Sequence, residues 1–487
     1  MKKYYGIIIK YKFIFLLLSS TALVSSCEKN DKLTIAPETT LSDEDVFKTP
    51  ARIEGVANGI YKALKGASLY GGRYLMYQDV RGEDFINITA NTYTGYDAWN
   101  NSYSSGSNDI NNLWSAAYTT INRANTLIAG IAANPGVVST QKAAEYVGEA
   151  KFLRALAYYD LVISFGQPYN KDAGASKGLP LRLNAEAGPE NNDLARSSVA
   201  EIYTQILKDL NEAEAALPQN YTTNDLNTTR AHTSAAIALK TRVYLSMNNY
   251  AKVIEEAAKL APQSTAPFST TATAVKHVLQ PAIATIFTSD YATTESIFSI
   301  PMSTLDSYTG QSSIAYIYNT NLEYYLNPTG ILGDAQWATT DARRTAVLKT
   351  VSGKQYFKKY AKPSPFLDYI PVIRYAEVLL NYAEAAARTG NLLLATNLLK
   401  AVHARSDASY VFPATATGTQ QALVETIWKE RRIELLGEGF RGTDLLRNLQ
   451  SIPAKGDGNL QTSAVAPSAA NYIFPAPNTE LATNKLY

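Results

Sequence analysis

Two segments of the chain each contain two helical patterns joined by a turn, and this repeated design limits the fold more than any other feature. The first, "AHTSAAIALKTRVYLSMNNYAKVIEEAAKLAP" (residues 231–262), has an Asn-Asn turn in its middle and a proline at its end. The second, "YAEVLLNYAEAAARTGNLLLATNLLKAVHARS" (375–406), has Gly390-Asn391 at its turn. Apolar residues recur at helical spacing on both sides of each turn, which predicts two helical hairpins.

Small side chains inside these patterns allow neighbouring helices to approach closely; they are Ala235, Ala236, Ala383, Ala386 and Ala395. Both segments resemble tetratricopeptide units, which repeat about every 34 residues. Stacked pairs of this kind form an α-solenoid in which each pair buries the apolar face of its neighbour. The sequence therefore predicts a mainly α fold, with a tetratricopeptide-like helical-pair α-solenoid scaffold that includes residues 198–262 and 369–447.

Further helices are predicted along the rest of the chain from capping residues and apolar periodicity. They are a helix from Thr49-Pro50 to Gly66, one from Leu113 to Gly130, one over 141–165, and one that begins with the capping-box pair Ser198 and Glu201. No clear linker separates these patterns. We therefore expect residues 27–487 to form a single domain.

Two regions, 66–112 and 263–345, do not follow the helical pattern. The first is rich in Tyr, Asn, Gly and Ser, and the second in Ser, Thr and Tyr, with short β-like runs such as "SIFSIP" and "IAYIYN". Long irregular segments inside a compact domain are usually functional loops or mobile segments. These two loop-rich regions, with a few short strands, are therefore where we expect the ligand-binding site.

The first 26 residues have the features of a secretory signal. Four lysines precede an apolar stretch of 12 residues, Phe13 to Val24. This stretch is shorter than the roughly 20 residues that cross a bilayer, but it fits the h-region of a signal peptide. Val24-Ser25-Ser26-Cys27 resembles the lipobox of bacterial lipoproteins, and Cys27 is the only cysteine. We expect residues 1–26 to be removed and Cys27 to carry acyl chains such as palmitate; the alternative is a buried cysteine in an ordinary signal.

The charge of the chain argues against binding to nucleic acid. Without residues 1–26, which contain four lysines and no acidic residue, 41 basic and 43 acidic residues remain, and the formal charge falls from +2 to −2. A near-neutral chain lacks the basic surface that phosphate backbones require. It also lacks a polybasic stretch for anionic membranes, and no later segment has 18 consecutive apolar residues.

Common catalytic and metal-binding motifs are absent or lie in the wrong context. His232, His277 and His403 are far apart in sequence, and no HExxH or CxxC motif occurs, so we expect ordinary histidines and no metal site. "GEGFRG" (437–442) follows an amphipathic helical pattern rather than the strand that a dinucleotide site needs. "GASKG" (174–178) follows a polar loop rather than the strand of a nucleophile elbow.

Two groups of carboxylates have alternative interpretations. Glu430, Glu434 and Glu438 share one helix face with arginines nearby, which favours an ion-pair network over a glycosidase pair, since arginines lower carboxyl pKa values. Asp79, Glu83 and Asp84 could hold calcium, although a solvated acidic loop is the simpler interpretation. No other cofactor is expected.

Four longer segments of the chain carry a family resemblance when taken together. They are "GEAKFLRALAYYDLVISFG" (148–166), "YIPVIRYAEVLLNYAEAAARTGN" (369–391), "KERRIELLGEGFRGTDLLR" (429–447) and "YIFPAPNTEL" (472–481), with "GLPL" (178–181) and "DARR" (341–344) between them. Together they resemble the SusD/RagB family of outer-membrane nutrient-binding lipoproteins. They occur in the family's order and span most of the chain. The cores "RYAE" and "EGFR" are the most specific, whereas "FGQPYN" departs from the family's usual Gly-Asp-Val-Pro and "NKLY" from its usual ending.

The resemblance implies a lipoprotein on the outer face of a Gram-negative outer membrane. Its partner would be a SusC-like TonB-dependent barrel transporter, and its ligand an oligosaccharide, with peptides as the alternative. No catalysis is implied. The expected function is therefore binding of an oligosaccharide and its delivery to the transporter, as in starch-utilisation-type uptake. The alternatives are an α-helical carbohydrate-active enzyme and a peptide-binding or scaffold lipoprotein.

A glycan site needs aromatic rings for the apolar sugar faces and polar side chains for the hydroxyls, and the chain contains 33 tyrosines and 4 tryptophans. Candidates in the first loop-rich region are Tyr93, Tyr96, Trp99, Asn100 and Asn101, and those in the second are Tyr316, Tyr318, Tyr324, Tyr325 and Trp337. Aromatic residues are also common in protein cores, which is the alternative at each position. Trp99 and Trp337 have polar neighbours in the sequence, and we expect both to contact the ligand.

Overall fold

The computed structural model describes residues 45–271, 273–288, 291–458 and 460–487, so the predicted signal peptide and Cys27 lie outside the described residues. The α-helices in these ranges are α1 Pro50–Leu64, α2 Arg73–Val80, α3 Tyr96–Asn100, α4 Asn108–Ala133, α5 Thr140–Phe165, α6 Val199–Ala216, α7 Asn224–Thr229, α8 Thr233–Ser246, α9 Tyr250–Leu260, α10 Ala284–Thr288, α11 Ala342–Val347, α12 Tyr375–Arg388, α13 Leu392–Ala404, α14 Ala414–Thr417, α15 Gln420–Glu434, α16 Arg441–Arg447 and α17 Asn478–Thr483. The strands are β1 Phe85–Asn87, β2 Lys177–Pro180, β3 Arg196–Ser198, β4 Ser296–Ile300, β5 Tyr324–Leu326, β6 Leu348–Val351, β7 Lys354–Phe357, β8 Ile370–Arg374, β9 Lys455–Asp457 and β10 Leu460–Thr462.

Both predicted helical hairpins are present, as α8–α9 and α12–α13. In the first turn Asn249 caps α9 by accepting a hydrogen bond from Lys252 N at 3.3 Å. In the second, Gly390 has a φ of +88°, and Asn391 accepts from Leu394 N at 3.2 Å. The left-handed backbone suits glycine because it has no Cβ. The pairs α5–α6, α6–α8, α9–α12 and α12–α15 also pack together, which gives the expected mainly α scaffold.

The four helices predicted elsewhere are also present, and α4 differs most from its predicted length. The capping box is formed by Ser198 and Glu201 at the start of α6. Helix α4 begins at Asn108 rather than Leu113, runs through Gly130 and ends at Ala133, three residues later than predicted. Gly130 alone does not end a helix, whereas the proline after Asn134 disfavours helical dihedral angles at Asn134.

The loop-rich regions contain more structure than the sequence predicted. Helix α2 lies inside the first region, where an irregular segment was expected, and all eight of its residues are buried. It has no polar face, so its sequence shows no amphipathic period. The run "IAYIYN" was expected to be β-like, but Tyr316–Thr320 form a wide helical turn in which Asn321 N donates to Tyr316 O at 2.7 Å. The run "SIFSIP" does form a strand, β4, which pairs antiparallel with β8.

The two motif cores "RYAE" and "EGFR" form ion pairs in the scaffold. Two of these pairs are buried: Arg374 Nε donates to Glu438 Oε2 at 2.7 Å, and Arg242 Nε donates to Glu377 Oε1 at 2.6 Å. In a partly buried pair, Arg441 Nη2 donates to Glu83 Oε1 at 2.7 Å. These contacts join β8 to the segment after α15, α8 to α12, and α16 to the segment after α2.

The described residues from Thr49 to Tyr487 group into one compact unit. None of the helices within the described ranges combines the length and the apolar character that a bilayer crossing requires. The GxGxxG-like segment 437–442 follows helix α15 and not a strand, so its rejection as a dinucleotide motif is confirmed. Ser176 of the GxSxG-like segment lies just before β2, after a polar turn, and is likewise no nucleophile elbow.

Candidate functional site

The two loop-rich regions meet in a four-stranded sheet with the order β1-β5-β7-β6. Strand β1 comes from the first region and pairs antiparallel with β5 of the second, with Phe85 opposite Leu326 and Asn87 opposite Tyr324. The segments that leave these paired strands, 88–97 after β1 and 309–323 before β5, therefore emerge side by side. We call the surface that they form the Tyr93 surface.

Glu323 joins the two segments at the base of this surface. Its side chain is fully buried and accepts hydrogen bonds from the hydroxyls of Thr89, at 3.2 Å, and Thr94. Asn321 Nδ2 donates to its other carboxylate oxygen at 2.8 Å. Tyr324 Oη donates to Thr94 O at 2.8 Å. Because these bonds satisfy both oxygens of a buried carboxylate, Glu323 fixes one segment against the other.

Arg73, at the start of α2, lies against Tyr93 and links the two segments of the Tyr93 surface. The guanidinium carbon of Arg73 lies 4.7 Å from the centre of the Tyr93 ring. Arg73 Nε donates to Gln311 O at 3.1 Å, and Nη2 donates to Ser312 Oγ at 3.0 Å. Arg73 is 3% exposed and Tyr93 44% exposed, so a buried cation supports an exposed ring. This cation–π contact holds Tyr93 in place and ties it to the second segment.

The guanidinium of Arg73 stays charged despite its burial. Burial lowers the pKa of Arg73, but the neighbouring Tyr77 and Tyr93 outweigh this effect and the pKa is raised from its usual value. The cation under the Tyr93 ring is therefore permanent at every physiological pH.

Four of the ten predicted ligand-binding residues are accessible. Tyr93 is exposed, and Tyr96, Asn100 and Tyr316 are partly exposed. The ring of Tyr316 packs against Phe366 with 6.1 Å between centroids, at an angle of 79°. These four residues lie on or near the two segments and stay candidates for ligand contact.

The expectation that Trp99 and Trp337 contact ligand is wrong for this structure, because neither side chain is exposed. Trp99 lies on the inner face of α3, donates from Nε1 to Phe85 O at 2.8 Å and stacks on Tyr96. Trp337 is covered by Arg344, whose guanidinium carbon is 5.0 Å from the ring. Both rings fill the core, although polar residues flank them in the sequence.

Four other candidates are also buried and take structural roles. Tyr318 and Tyr324 are fully buried and pack against each other with 5.9 Å between ring centroids. Tyr325 is 2% exposed, and its hydroxyl donates a hydrogen bond to Asp457 Oδ2. Asn101 is buried, with Nδ2 3.5 Å from Thr462 Oγ1. None of these side chains can form a platform for a ligand, because the sheet and its packing enclose them.

Arg73 and Glu323, on which the site depends, are not among the residues predicted from the sequence. Neither belongs to a motif, and 250 positions separate them, so only the pairing of β1 with β5 brings their segments together. An arginine near a tyrosine-rich loop was the one available signal.

The acidic residues considered for calcium have other partners. Asp79 accepts from Gly439 N at 2.8 Å and from Arg441 N at 3.1 Å, and burial raises its pKa to about 7. Glu83 and Asp84 bind the guanidinium of Arg432 at 2.8 and 2.6 Å. Because N–H donors and arginines occupy these oxygens, the group is neither a calcium site nor a solvated loop. Within the described ranges, no three His, Cys, Asp or Glu side chains converge in a way that could hold a metal ion.

Glu430, Glu434 and Glu438 form the predicted ion-pair network. Burial alone would raise the pKa of Glu430, but Arg343 and His403 lower it to about 2. The pKa values of Glu434 and Glu438 are also lowered despite burial. The Glu434 carboxylate contacts Arg343, Arg374 and Arg405, and the Glu438 carboxylate contacts Arg374 and Lys359. A general acid needs the opposite shift, so these carboxylates do not form a glycosidase pair.

The three histidines are all buried. His403 Nδ1 lies 2.7 Å from Glu430 Oε2 within the ion-pair network. His232 and His277 are far apart in sequence but lie together, with 3.4 Å between their Nε2 atoms. Burial lowers their pKa values to about 4 and about 3, so both rings are neutral at pH 7.

Known proteins and family models are similar to this chain over almost its whole length. Residues 33–245 match a SusD-like family described as starch-binding and associating with the outer membrane, and residues 292–486 match the SusD family. A SusD-like protein of Formosa agariphila is 25% identical over 99% of both chains. The crystal structure of a SusD superfamily protein from Bacteroides fragilis is 34% identical, with a TM-score of 0.82, over 91% of this chain and 99% of that one.

A further solved structure has the same fold at lower sequence identity. It is the surface glycan-binding protein A from Bacteroides fluxus, with 21% identity and a TM-score of 0.70 over 90% of this chain and 97% of that one.

Proposed function

The chain belongs to the SusD/RagB family, and on this basis we propose that it is a cell-surface lipoprotein that binds an oligosaccharide and delivers it to a TonB-dependent outer-membrane transporter. The transporter would be SusC-like, and the protein itself non-catalytic. Starch binding in the description of the matched family supports a carbohydrate as the ligand.

The observation that carries the proposal is the exposed ring of Tyr93 on its buried arginine. A sugar ring presents C–H groups on its faces and hydroxyls around its edge, so it binds best to an aromatic ring with hydrogen-bonding groups beside it. The two segments also carry amide and hydroxyl side chains that are exposed or partly exposed; they are Asn91, Thr92, Gln311, Ser312 and Asn321. The Arg73 contact and the bonds of Glu323 hold this surface in one conformation, which reduces the entropy lost on binding.

The scaffold carboxylates are engaged in ion pairs, which supports a non-catalytic role. Retaining and inverting glycosidases need a carboxylic acid with a raised pKa beside a second carboxylate. Glu430 and Glu434 are instead held ionised by arginines in the core. The helical carbohydrate-active enzyme is therefore the weaker alternative.

The membrane anchor and the surface location rest on the sequence of the N-terminal region. Lipidation of Cys27 would attach the protein to the outer leaflet, since each buried CH₂ of an acyl chain contributes about 0.8 kcal/mol. Metabolic labelling with palmitate should mark the wild type and not Cys27→Ser. Protease added to intact cells should then degrade the wild type, and a protected, unlabelled protein would contradict the proposed location.

The binding function is tested with an array of oligosaccharides and purified protein. We expect the wild type to bind at least one glycan and Tyr93→Ala to bind it at least tenfold more weakly at the Tyr93 surface. Tyr250→Ala is the matched control, because Tyr250 also lies against an arginine, with 5.9 Å from its ring centre to the Arg388 guanidinium, but belongs to the scaffold helix α9. Release of shorter sugars from a bound glycan would favour the enzyme instead.

A further inference from the structure

A cleft lies between helix α4, the loop 182–192 and helix α17. Its volume is about 610 Å³, within the range of small-molecule sites. None of its lining residues belongs to the Tyr93 surface. One wall is a stripe along α4 at helical spacing, made of Ser115, Tyr118, Thr119 and Asn122.

The loop that forms the opposite wall is fixed by amide side chains of α4. Asn122 Nδ2 donates to Glu186 O at 2.8 Å, and Asn122 Oδ1 accepts from Glu186 N at 2.9 Å. Asn125 Nδ2 donates to Arg182 O at 3.1 Å and to Asn184 O at 3.0 Å. Arg154 Nη1 in turn donates to Asn125 Oδ1 at 2.7 Å. An irregular loop held by this many specific bonds is a preorganised wall, which lowers the cost of binding.

Two arginines and two glutamates line the cleft, so their formal charges balance, and Arg182, Glu186 and Glu480 are paired with one another. Arg182 Nη1 donates to Glu186 Oε1 at 3.2 Å, and Arg182 Nη2 lies 3.5 Å from Glu480 Oε1. Trp114 Nε1 donates to Glu480 Oε2 at 3.3 Å. Arg123 Nη1 donates to Gly59 O at 2.8 Å. An anionic ligand would compete with carboxylates already bound to Arg182, so the cleft favours a neutral ligand.

The remaining lining combines an aromatic ring with hydroxyl groups. The ring of Tyr118 is partly exposed and packs on the buried ring of Trp114, 4.9 Å away. The hydroxyls of Ser115 and Thr119 lie on the exposed side of α4 next to them, and Thr479 and Thr483 lie across the cleft. Aromatic carbon beside neutral donors and acceptors matches the surface of an uncharged sugar, as it does at the Tyr93 surface.

We propose that this cleft is a second saccharide-binding site that takes one end or branch of a neutral oligosaccharide. The inference rests on the proposed function, because it assigns the same class of ligand to a separate surface. Two sites on one chain raise the apparent affinity for a long glycan through effective concentration.

The test fills the cleft with a bulky side chain at an exposed position. Thr119→Trp places an indole in the cleft, and Thr204→Trp is the matched control, since each threonine is exposed on a helix and donates to the carbonyl four residues before it, at 2.7 and 2.8 Å. Ser115→Trp, on the same stripe, is a second variant in case the first is misfolded by circular dichroism. Neutral gluco-, manno- and galacto-oligosaccharides are screened on an array, and those that bind are titrated by calorimetry.

We expect the wild type and Thr204→Trp to bind at two sites, and Thr119→Trp and Ser115→Trp to lose one of them or to bind at least tenfold more weakly. Wild-type affinity and stoichiometry in both cleft variants would overturn this inference. If Tyr93→Ala alone then removes binding, the proposed function stands without the second site. If the wild type binds none of the neutral sugars, the inference and the neutral-glycan form of the proposed function both fail.

Discussion

Arg374 and Glu438, which are 64 positions apart in the sequence, form a buried ion pair with two hydrogen bonds, from Nε to Oε2 at 2.7 Å and from Nη2 to Oε1 at 2.8 Å. They belong to "RYAE" and "EGFR", the two segments that most specifically resemble the family. Arg374 also reaches Glu295 at 2.6 Å and Glu434 at 3.0 Å. The most recognisable residues of this chain therefore hold the scaffold together and lie in its core, apart from the Tyr93 surface.

Removal of one partner of this pair should strongly destabilise the fold. Glu438→Ala leaves Arg374 and Lys359 without a shared carboxylate in the core, and breaking a buried ion pair costs about 3–5 kcal/mol. The free energy of unfolding, measured with urea, should fall by that amount. Lys252→Ala, which breaks an exposed helix pair with Glu255, is the control and should have no measurable effect. Equal stability of the two variants would contradict a structural role for Glu438.

The neutral pair His232 and His277 should make the fold sensitive to acid. Burial lowers their folded-state pKa values to about 4 and about 3, whereas each is about 6.5 in the unfolded chain. Above pH 6.5 both states are neutral and stability is unaffected. Between pH 6.5 and pH 4 the unfolded state takes up protons that the folded state does not, so stability falls, on the order of 1–2 kcal/mol per histidine at pH 5.

The measurement is urea unfolding at pH 7.5 and pH 5 for the wild type and for a variant with His232→Gln and His277→Gln. The wild type should lose more stability between the two pH values than the variant does. An identical loss in both proteins would show that these histidines do not titrate as their burial requires.

Trp99 should matter for stability and not directly for binding. Its ring is fully buried and its Nε1 donates to Phe85 O, so Trp99→Ala leaves a cavity and an unpaired carbonyl. Truncation of a buried tryptophan costs about 3–5 kcal/mol. Tyr93→Ala, at an exposed ring in the same region, should leave the thermal midpoint nearly unchanged. A Trp99→Ala protein that melts like the wild type would contradict the burial of Trp99.

Two glycines with similar backbone angles should differ in their tolerance of alanine. Gly390 and Gly437 have φ values of +88° and +80°, but a Cβ at Gly390 meets open space, whereas one at Gly437 would lie 2.1 Å from Phe357 Cζ. Both substitutions strain the backbone, and Gly437→Ala adds overpacking of about 1–3 kcal/mol. Thermal unfolding should therefore rank Gly437→Ala well below Gly390→Ala. The reverse order would show that Phe357 moves freely.

The sequence predicted the helical hairpins because their information is local. Asn249 and Asn391 cap helices a few residues away, and apolar spacing marks the faces that pack. The burial of Trp99 could not be predicted in the same way. Trp99 lies in a five-residue helix with the partly exposed Asp97, and this helix is too short for the sequence to show which face is buried. The residues that cover the Trp99 ring come from β1 and from Lys455.

The sequence predicted that the ligand site lies in the two loop-rich regions, but it did not identify the Tyr93 surface within them. Tyr93 and Tyr316 were among the candidates, but Arg73 and Glu323 were not, since their roles arise from the pairing of distant segments. Buried and exposed tyrosines cannot be told apart from the composition of these loop-rich regions. The sequence therefore predicted more ligand-contacting tyrosines than the structure leaves accessible.

The most direct test of the proposed function is calorimetric titration of the wild type, Tyr93→Ala and Tyr250→Ala with the glycan that binds best on the array. Loss of the exposed ring should weaken binding at the Tyr93 surface at least tenfold, since stacking on an aromatic ring contributes most of the contact that is specific for a sugar face. Tyr250→Ala should bind like the wild type. Unchanged affinity and stoichiometry in Tyr93→Ala would contradict the assignment of this surface as the glycan site.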